Sequence, residues 1–569
     1  MSLKVVIVGG VALGPKTACR VKRLVPDAKV TIVEKDGRIS YGGCGIPYYV
    51  SGDVNDVSEL QATSFHMLRD PHFFKHSKGV EVLTRKKAVR IDRQAKVLHF
   101  QDMDTKEASH LDYDVLVLGT GSRPRRPDLP GIDLKGVYTV SNLNEAEGIR
   151  RAVQGGKVAK AVVIGAGFIG LEMAEALRDM WDVETTVVEI ADQILPGFVS
   201  ADLAAMAQKH MQDHGVAFHL AQKVQGFAGE AGHVQRVLLE DTVLEADLVV
   251  MSVGVVPNSE IAVNAGLEVG PNGAIVVNER MQTSDPSIYA GGNCVQVMNL
   301  VSGRPGFYPL GSLANRQGRV IGTNIAGGAA RFRGAVGSFA VKLFDFSVAG
   351  AGLSLEMARR NNMDAVSAHV SGFDRAHFFP GKDIMQLELV VERSGRVVGI
   401  QGLGNKGDAM VGRISAVAPL LAYHPDVEEI SNLELPYSPP FSSAMDIINA
   451  VGNAAENILA GRSRMVSFHE FQKLWDSGDR DFVVLDCRDQ QDTEPAVYEA
   501  KYPGVWLNIP HNDLRERIAE VPRNKRIVLL CGTGGRSYES QILLDAEGIG
   551  GSVNLQGGVA SLRRFPLDI

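Results

Sequence analysis

Two cysteines in this 569-residue sequence lie in glycine-rich segments that could do chemistry. Cys44 lies within Ser-Tyr-Gly-Gly-Cys-Gly-Ile-Pro-Tyr-Tyr, and no second cysteine stands two to five residues away to form a redox pair. A single thiol of this kind beside a cofactor site is typical of a nucleophile that forms a mixed disulfide, a persulfide or a sulfenic acid with an external group. The alternative is a small, half-buried cysteine in a loop.

Cys531 begins the segment Cys-Gly-Thr-Gly-Gly-Arg-Ser, which follows a predicted buried strand at 527–530 and opens a predicted helix. The backbone N–H groups of such a loop and the helix N-terminus can hold the anionic sulfur of a persulfide. Arg536 can bind an incoming oxyanion through two hydrogen bonds. Cys487 follows another predicted strand in mid-domain, and we expect it to be a packed residue.

The elements before Cys44 predict a dinucleotide-binding fold. A buried strand at 4–8 is followed by a Gly-Gly-Val-Ala-Leu-Gly turn, a helix and a second strand at 30–33. Such a turn lets backbone N–H groups approach a pyrophosphate, and an acid after the second strand can accept hydrogen bonds from a ribose. Val11 stands at the middle glycine of the usual motif. The predicted residues for this first nucleotide are Gly9, Gly10, Gly14, Glu34 and Lys35.

A second motif is complete, because Gly165, Gly167 and Gly170 form G-x-G-x-x-G between a predicted strand and a predicted helix. Glu189 ends the following strand at the spacing expected of the ribose-binding acid. This acid would repel a 2′-phosphate and no Lys or Arg follows it closely, which favours NADH over NADPH. The segment 283–293 is predicted to return the chain to the first domain, so the second nucleotide domain is an insertion.

Two further regions allow two interpretations each. The helix after the first turn has a basic face that is either solvated or binds the phosphorylated handle of a substrate near Cys44, and its residues are Lys16, Arg20, Lys22 and Arg23. Predicted strands at 339–348, 366–370, 385–391 and 396–402 indicate a third, α+β domain without a phosphate loop. It ends in the proline-rich loop 435–441, which either terminates the domain or covers the partner's active site in a two-fold dimer.

Composition excludes several classes of protein. The length favours three or four domains, and a net charge of −7 without a basic block argues against nucleic acid as a partner. No apolar run is long enough to cross a bilayer, and the N-terminus lacks a signal-peptide pattern. Five scattered cysteines indicate a reducing, cytoplasmic setting rather than a disulfide framework. We predict no metal site.

Together these motifs resemble the pyridine nucleotide-disulfide oxidoreductases with a single redox cysteine, over residues 1 to about 450. The first cysteine segment resembles the S-F-x-N-C-G-L-P-Y signature of coenzyme A-disulfide reductases and NADH-dependent persulfide reductases through Ser40, Cys44, Gly45, Pro47 and Tyr48. The last hundred residues are similar to a rhodanese domain. That similarity rests on Asp486, Arg488 and the C-x-x-G-x-R pattern of the loop 531–536.

The resemblance implies an α/β chain with two Rossmann-like domains, an α+β dimerisation domain and a rhodanese domain. The FAD domain would span 1–115 and 250–330, the NADH domain 116–249, the dimerisation domain 331–450, a linker 451–465 and the rhodanese domain 466–569. FAD and NADH are the implied cofactors, with coenzyme A as a further candidate and a homodimer as the expected assembly. Further residues then implied at the FAD site are Gly121, Asn293 and Ala314.

In this family Cys44 would be the redox cysteine and Cys531 the sulfur carrier, and Tyr437 would reach the partner's cysteine across the dimer. Three positions depart from the family pattern. Gly43 replaces an Asn, Asn293 replaces an Asp that binds the ribityl chain, and Phe378-Phe379 replaces a frequent Tyr-Tyr. The amide oxygen of Asn293 can still accept a hydrogen bond.

Three functions remain open at this point. The first is NADH-dependent reduction of sulfane sulfur, in a persulfide, a polysulfide or coenzyme A disulfide, at the Cys44 thiolate. The second is a water-forming NADH oxidase or a peroxidase in which Cys44 cycles through sulfenic acid. The third is a sulfurtransferase or sulfur-trafficking protein whose flavin part only recycles a thiol. The rhodanese-like tail favours the first over the second, because oxygen reduction needs no sulfur carrier.

Overall fold

The computed structural model describes residues 2–478, 481–489, 494–567 and 569. The chain forms two compact units. Unit 1 consists of Met1–Asp192 and Gly215–Ala335, and unit 2 of Gln193–His214 and Val336–Ile569. Within the described residues, none of the helices combines the length and the apolar character that crossing a bilayer requires.

Unit 1 contains two Rossmann-like sheets and several small antiparallel sheets. Its helices are α1 Leu13–Leu24, α2 Ile46–Ser51, α3 Pro71–Lys78, α4 Leu143–Gln154, α5 Phe168–Trp181, α7 Glu260–Asn264 and α8 Gly311–Ile325. The strands in its first half are β1 Lys4–Val8, β2 Lys29–Val33, β3 Glu81–Leu83, β4 Lys86–Asp92, β5 Val97–Asp102, β6 Ala108–Asp112, β7 Val115–Leu118, β8 Ser122–Pro124, β9 Val137–Thr139, β10 Lys160–Ile164 and β11 Glu184–Val188. The strands in its second half are β12 Val216–His219, β13 Val224–Glu230, β14 His233–Leu239, β15 Val243–Glu245, β16 Leu248–Met251, β17 Val255–Pro257, β18 Ile275–Val276, β19 Ile288–Ala290, β20 Val295–Met298 and β21 Pro305–Gly306.

Both Rossmann-like sheets are parallel and five-stranded. The first has the order β19-β7-β1-β2-β3 and the second the order β12-β11-β10-β16-β9. Their central strands are continuous apolar runs, as expected of strands that are covered on both faces. Because β1 and β2 are parallel neighbours, the loops that follow Val8 and Val33 leave the sheet at the same edge. The late strand β19 pairs with β7, so the chain returns to the first sheet after building the second.

Unit 2 contains one antiparallel sheet, one parallel sheet and the helices that cover them. Its helices are α6 Ala201–Asp213, α9 Leu355–Arg360, α10 Gly407–Val417, α11 Val427–Ser431, α12 Ile447–Leu459, α13 Phe468–Asp476, α14 Glu494–Lys501, α15 Gly535–Ala546 and α16 Gly558–Leu562. Its strands are β22 Phe339–Leu343, β23 Phe346–Gly352, β24 Ala365–Phe373, β25 Ile384–Glu392, β26 Val397–Gly404, β27 Met465–Val466, β28 Phe482–Asp486, β29 Trp506–Asn508, β30 Arg526–Leu530 and β31 Val553–Leu555.

The antiparallel sheet has the order β22-β23-β26-β25-β24, and the parallel sheet has the order β27-β31-β30-β28-β29. The single strand predicted at 339–348 is wrong, because the chain turns between Leu343 and Phe346 and forms the hairpin β22–β23. Residues 451–465, predicted as a linker, include most of α12, whose Ile447, Ile448 and Val451 are buried. This stretch of chain is therefore largely helical.

Candidate active site

Cys44 lies in a short 3₁₀ turn, Gly43–Gly45, directly before α2. Its side chain is exposed. A Cβ placed on Gly311 would lie 3.7 Å from Cys44 Sγ, so the sulfur is next to the first residue of the 15-residue helix α8. The N-terminus of a helix carries a partial positive charge and unpaired N–H groups, which attract anions. The exposed sulfur therefore lies where an anionic sulfur group can be held.

A pair of side chains that the sequence did not identify joins α2, the helix after Cys44, to α5. Tyr48 Oη donates a hydrogen bond to Glu172 Oε1 over 3.5 Å. Burial, and then the charge of Glu175, raises the pKa of Glu172 to about 7. Burial, followed by the charge of Glu172, raises the pKa of Tyr48 to about 12. A shallow pocket lined by Pro47, Tyr48, Glu172 and Glu175 opens at this contact.

The first glycine turn has the geometry of a phosphate loop. Gly9 has a φ of +106°, and a Cβ on Gly14 would lie 2.0 Å from the Gly9 carbonyl oxygen, so neither position accommodates a side chain. Gly10 N–H donates to Glu34 Oε2 over 2.6 Å, and Asp36 N–H donates to Glu34 Oε1 over 2.9 Å. Burial raises the pKa of Glu34, although these two hydrogen bonds oppose it.

The second glycine turn repeats this arrangement. Gly165 has a φ of +102°, and a Cβ on Gly170 would lie 1.9 Å from the Gly165 carbonyl oxygen. Ala166 N–H donates to Glu189 Oε2 over 2.7 Å, as Gly10 does to its acid in the first turn. Neither α1 nor α5, which follow the two turns, has a side-chain N-cap. The N–H groups of both first turns are thus available to a pyrophosphate, and the residues fit two dinucleotides.

The remaining residues predicted at the first nucleotide lie in unit 1 on several elements. Gly121 has a φ of +67°, and no atom of the described residues lies within 4 Å of a Cβ placed there. Asn293 Nδ2 lies 3.4 Å from Ser122 Oγ, and Ala314 is buried near the start of α8. The side chain of Lys35 is exposed after β2. Their contribution to binding FAD stays a prediction.

The four basic residues of α1 do not act alike. Lys22 Nζ donates to the carbonyl of Ala28 over 3.0 Å and to that of Pro26, so this residue stabilises the loop after α1. Burial, and then the neighbouring Arg319, lowers the pKa of Arg20, so a second cation lies close to it. The residues left for an anionic handle are Lys16, Arg20 and Arg23.

Cys531 follows β30 at the floor of its loop and is only 1% exposed. Its sulfur accepts two hydrogen bonds, from Gly534 N–H over 3.1 Å and from Ser537 Oγ over 3.2 Å. Arg536 is exposed, and its Nη2 lies 3.5 Å from where a Cβ on Gly532 would be. The structure therefore places two donors on the sulfur and a guanidinium over the loop.

The first turn of α16 packs against the backbone of this loop. Val559 N–H donates to the Cys531 carbonyl over 2.8 Å. On the side facing β24, Ser371 Oγ donates to the Gly557 carbonyl over 2.8 Å and lies 2.8 Å from Ser561 Oγ. His369 Nε2 lies 3.0 Å from the same hydroxyl of Ser561. A buried polar network within unit 2 thus links the antiparallel sheet to the support of the cysteine loop.

Asp486 and Arg488 form a buried ion pair at the end of β28, with Arg488 Nη2 2.7 Å from Asp486 Oδ2. Trp506 Nε1 also donates to this carboxylate over 3.2 Å. Between them Cys487 is fully buried, and burial raises the pKa of its thiol to about 12, which confirms the prediction of a packed residue. These residues stabilise the strand end beside Cys531.

Tyr437 lies in the loop between α11 and α12, and 52% of it is exposed. Phe378, Phe441 and Met445, which lie on this segment and on the neighbouring segment of unit 2, are more exposed than this tyrosine. The two segments that carry them are adjacent, since Ala376 N–H donates to the Pro439 carbonyl over 3.1 Å. A cluster of exposed apolar side chains on one unit is typical of an interaction surface.

Three family descriptions match the sequence. Residues 3–308 match "Pyridine nucleotide-disulphide oxidoreductase", residues 338–447 match the dimerisation domain of the same family, and residues 467–564 match "Rhodanese-like domain". The structure also resembles the solved structure of an NAD-dependent persulfide reductase from A. fulgidus, with 38% sequence identity and a TM-score of 0.92, covering 98% of this chain and 100% of that chain.

Two curated relatives match about four fifths of the chain. An NADH oxidase from Methanocaldococcus jannaschii is 32% identical, over 80% of this chain and 99% of its own length. An NAD(P)H coenzyme A polysulfide/persulfide reductase from Pyrococcus horikoshii is 30% identical, over 78% of this chain and 97% of its own length. The chain belongs to the pyridine nucleotide-disulphide oxidoreductase family and carries a rhodanese-like domain at its C-terminal end.

Proposed function

We propose that the protein is an NADH-dependent flavoenzyme that reduces sulfane sulfur at Cys44. The observation that carries this proposal is the presence of two different sulfur sites on one chain. Cys44 is exposed beside the start of α8, whereas the Cys531 sulfur is held by two hydrogen-bond donors in a loop. Relatives named persulfide reductases support this function.

The two glycine turns are the proposed sites of FAD and NADH. The first, with Gly9, Gly14 and Glu34, would hold FAD, and the second, with Gly165 and Glu189, would hold NADH. When bound, these cofactors would supply two electrons, from NADH by way of FAD, for reduction of the sulfur bonded to Cys44. The carboxylates already receive loop N–H groups and retain lone pairs for ribose hydroxyls.

At Cys44 the thiolate attacks one sulfur of a persulfide R–S–SH. Attack on the outer sulfur breaks the S–S bond, releases R–S⁻ and leaves a Cys44 persulfide. Attack on the inner sulfur releases hydrosulfide and leaves a mixed disulfide between Cys44 and R. Two electrons then cleave the new S–S bond and regenerate the Cys44 thiolate, with hydrosulfide leaving in the first case and R–S⁻ in the second. The start of α8 stabilises the anionic sulfur during both steps.

The pair of Tyr48 and Glu172 would serve this site as an acid–base element. Tyr48 lies one helical turn after Cys44, and Glu172 lies two residues after the last glycine of the NADH turn. With a pKa of about 7, Glu172 exchanges its proton near neutral pH. Its ionisation adds a negative charge beside α2, the helix that directly follows the redox cysteine.

The anionic handle of the substrate would bind the basic face of α1. Lys16, Arg20 and Arg23 remain there once Lys22 is assigned to the backbone of the loop after α1. A phosphorylated thiol such as coenzyme A has the chemistry that these residues recognise. A free polysulfide carries no such handle. Mutation of Arg23 should therefore slow the reduction of a phosphorylated thiol substrate more than the reduction of polysulfide.

We infer a homodimer in which Tyr437 of one subunit reaches Cys44 of the other. The match to the dimerisation domain and the exposed apolar side chains around Tyr437 support this assembly. A cytoplasmic location fits the five unpaired cysteines. Cys531 would collect sulfane sulfur as a persulfide and deliver it to Cys44 or to a small thiol.

The Cys44→Ser variant tests the proposal. We expect it to retain FAD and to lose NADH oxidation with polysulfide under anaerobic conditions, because serine cannot form the S–S bond. Cys19→Ser, which changes a half-buried cysteine of α1, is the matched control and should keep wild-type turnover. Undiminished turnover of Cys44→Ser would refute the role of Cys44.

The same variants separate the alternatives. A wild-type enzyme that consumes NADH faster under air than with anaerobic polysulfide is an oxidase, as the relationship to an NADH oxidase allows. Thiosulfate:cyanide transfer that is lost in Cys531→Ser, persists in Cys44→Ser and exceeds NADH turnover would identify a sulfurtransferase. We expect sulfur-dependent NADH oxidation to be the fastest of the three activities.

A further inference from the structure

A cluster of two histidines and one aspartate in unit 2 lies outside the nucleotide turns and the cysteine loops. His210 and His214 are one turn apart on α6, and their ring centroids are 4.4 Å apart. Each ring stacks on a phenylalanine of the hairpin β22–β23, His210 on Phe346 and His214 on Phe344, both at 4.5 Å. The two imidazoles are therefore held in fixed orientations against the hairpin.

Asp345 at the tip of the hairpin supplies a carboxylate to the same place. Its Oδ1 lies 3.0 Å from His210 Nε2 and 3.7 Å from His214 Nε2. The three possible ligand atoms all lie within 4.8 Å of one another. Ligand atoms around tetrahedral Zn²⁺ are about 3.3 Å apart when the bonds are about 2.0 Å long. Small side-chain rotations would therefore bring the three atoms to ligand distances.

The backbone of the hairpin tip is strained, which is a second and independent observation. Phe344 has a φ of +59°, although a two-residue hairpin turn favours Asn, Asp or Gly in the left-handed region. This conformation places the Phe344 ring on His214 and leaves the next residue, Asp345, beside both histidines. Strain of this kind persists where the surrounding structure requires it and is frequent at functional sites.

A buried imidazole nitrogen in the cluster lacks a partner. His210 Nε2 has no hydrogen bond within the described part of the chain, although Asp345 Oδ1 lies 3.0 Å from it. Burial, and then the proximity of His214, lowers the pKa of His210. A neutral imidazole is the form that binds a metal ion.

Outer contacts orient the other two side chains. His214 Nδ1 lies 2.8 Å from the backbone carbonyl of His210 and donates to it, so that Nε2 is the nitrogen on the side of Asp345. Asn405 Nδ2 donates to Asp345 Oδ2 over 3.3 Å, so Oδ1 is the oxygen directed at the histidines. Metal-binding histidines commonly donate their second nitrogen to a carbonyl, and metal-binding carboxylates are commonly hydrogen-bonded as well.

We propose that His210, His214 and Asp345 form a binding site for a divalent transition-metal ion of the Zn²⁺ class. Two imidazoles and a carboxylate suit such an ion, with water in the remaining position. The ion can enter from solvent, since the side chain of Asp345 is 64% exposed and that of His214 is 38% exposed. Bound there, it connects α6 to the hairpin β22–β23 and stabilises unit 2.

The experiment uses the full-length protein with its flavin, freed of metal with a chelator and then dialysed against Zn²⁺. Bound zinc is counted by elemental analysis in the wild type, His214→Ala and Asp345→Asn. The matched control is His76→Ala, because His72 and His76 on α3 have the same spacing and ring centroids 4.3 Å apart. Among the described residues, no third ligand completes a cluster around this second pair.

We expect one zinc ion fewer in both variants of the cluster, or an affinity at least tenfold lower, since changing an outer partner alone costs about 10–100-fold. His76→Ala should bind like the wild type. Thiolates also bind zinc, so Co²⁺ is used as a second probe. The cluster should give visible ligand-field bands without sulfur-to-cobalt charge transfer, and His214→Ala should lose these bands.

Zinc should also raise the melting temperature of the wild type and of His76→Ala but not of the two cluster variants. Equal zinc content in the wild type, His214→Ala and Asp345→Asn would overturn the proposal. An equal loss in His76→Ala would overturn it as well, because any pair of surface histidines would then account for the binding. Asp345→Asn changes an exposed turn, and its flavin absorbance reports whether the variant is folded.

Discussion

The Glu172→Gln substitution tests whether the contact between α2 and α5 controls the pH dependence of the enzyme. In the wild type, burial and the nearby Glu175 raise the pKa of Glu172 from 4.5 to about 7. Since one pKa unit is about 1.4 kcal/mol, the protonated form is favoured by about 3 kcal/mol relative to an exposed glutamate. Glutamine has nearly the same shape and stays neutral at every pH.

The expected effect on activity follows from the charge. Below pH 7 Glu172 is mostly protonated, and at pH 8 only about a tenth of it is. If the neutral form supports sulfur reduction at Cys44, wild-type turnover falls about tenfold between the plateau and pH 8. Glu172→Gln should keep its turnover constant over this range. The assay is anaerobic NADH oxidation with polysulfide from pH 5.5 to 8.5.

Stability provides a second measurement with a definite sign. The folded pKa of Glu172 lies above its unfolded value, so the folded state is favoured at low pH and loses stability as the pH rises from 4.5 to about 7. The variant should therefore show a smaller fall in melting temperature between pH 5 and pH 8. Asp179→Asn, in the same pocket, is the control. A break near pH 7 that persists in Glu172→Gln, or that also disappears in Asp179→Asn, would refute the reasoning.

Three further substitutions have defined outcomes. Gly14→Ala places a Cβ 2.0 Å from the Gly9 carbonyl oxygen, so the purified protein should contain much less than one FAD per chain by absorbance, and full occupancy would contradict this. Ser537→Ala removes a hydrogen-bond donor 3.2 Å from Cys531 Sγ. Because a hydrogen bond to a charged group is worth about 1.5–3 kcal/mol, the rate of thiosulfate:cyanide transfer should fall at least tenfold. A loss of less than twofold would argue against this hydrogen bond. Burial raises the pKa of Glu388 to about 8. The free energy of unfolding of the wild type should therefore fall from pH 5 to pH 8, and that of Glu388→Gln should fall less. An equal fall in both proteins would show that this carboxyl is not the titrating group.

The sequence predicted the elements whose signals are local. A buried parallel strand reads as a continuous apolar run, and the glycines after it are required by positive φ and close backbone approach, as at Gly9 and Gly165. Glu34 and Glu189, the acids after the next strands, accept hydrogen bonds from backbone N–H groups of the two glycine turns. The loop at Cys531 was also predicted, because its glycines and the following helix are contiguous in the chain.

Features made by packing between distant segments were not predicted. Glu172 reads as one polar residue in a helix, and only the contact with α2 shows its raised pKa. The cluster of His210 and Asp345 joins a helix to a hairpin tip that is far from it in sequence. The turn at Phe344 was missed because the apolar pattern continues through it without the Gly or Asn that marks such turns.

The polar network behind the Cys531 loop limits how modular the rhodanese-like domain is. Gln386 Oε1 lies within hydrogen-bonding distance of the hydroxyls of Ser371 and Ser561 in the interior of unit 2. Cutting the chain after α12 would expose the side chains of Ser371 and Gln386 on the antiparallel sheet. The isolated C-terminal fragment would also lose the hydrogen bond from Ser371 to the Gly557 carbonyl. An unrelated sulfurtransferase module exchanged into this position would bury unmatched donors and acceptors. Recombination of this chain with foreign modules is therefore restricted by three side chains that touch neither sulfur nor cofactor.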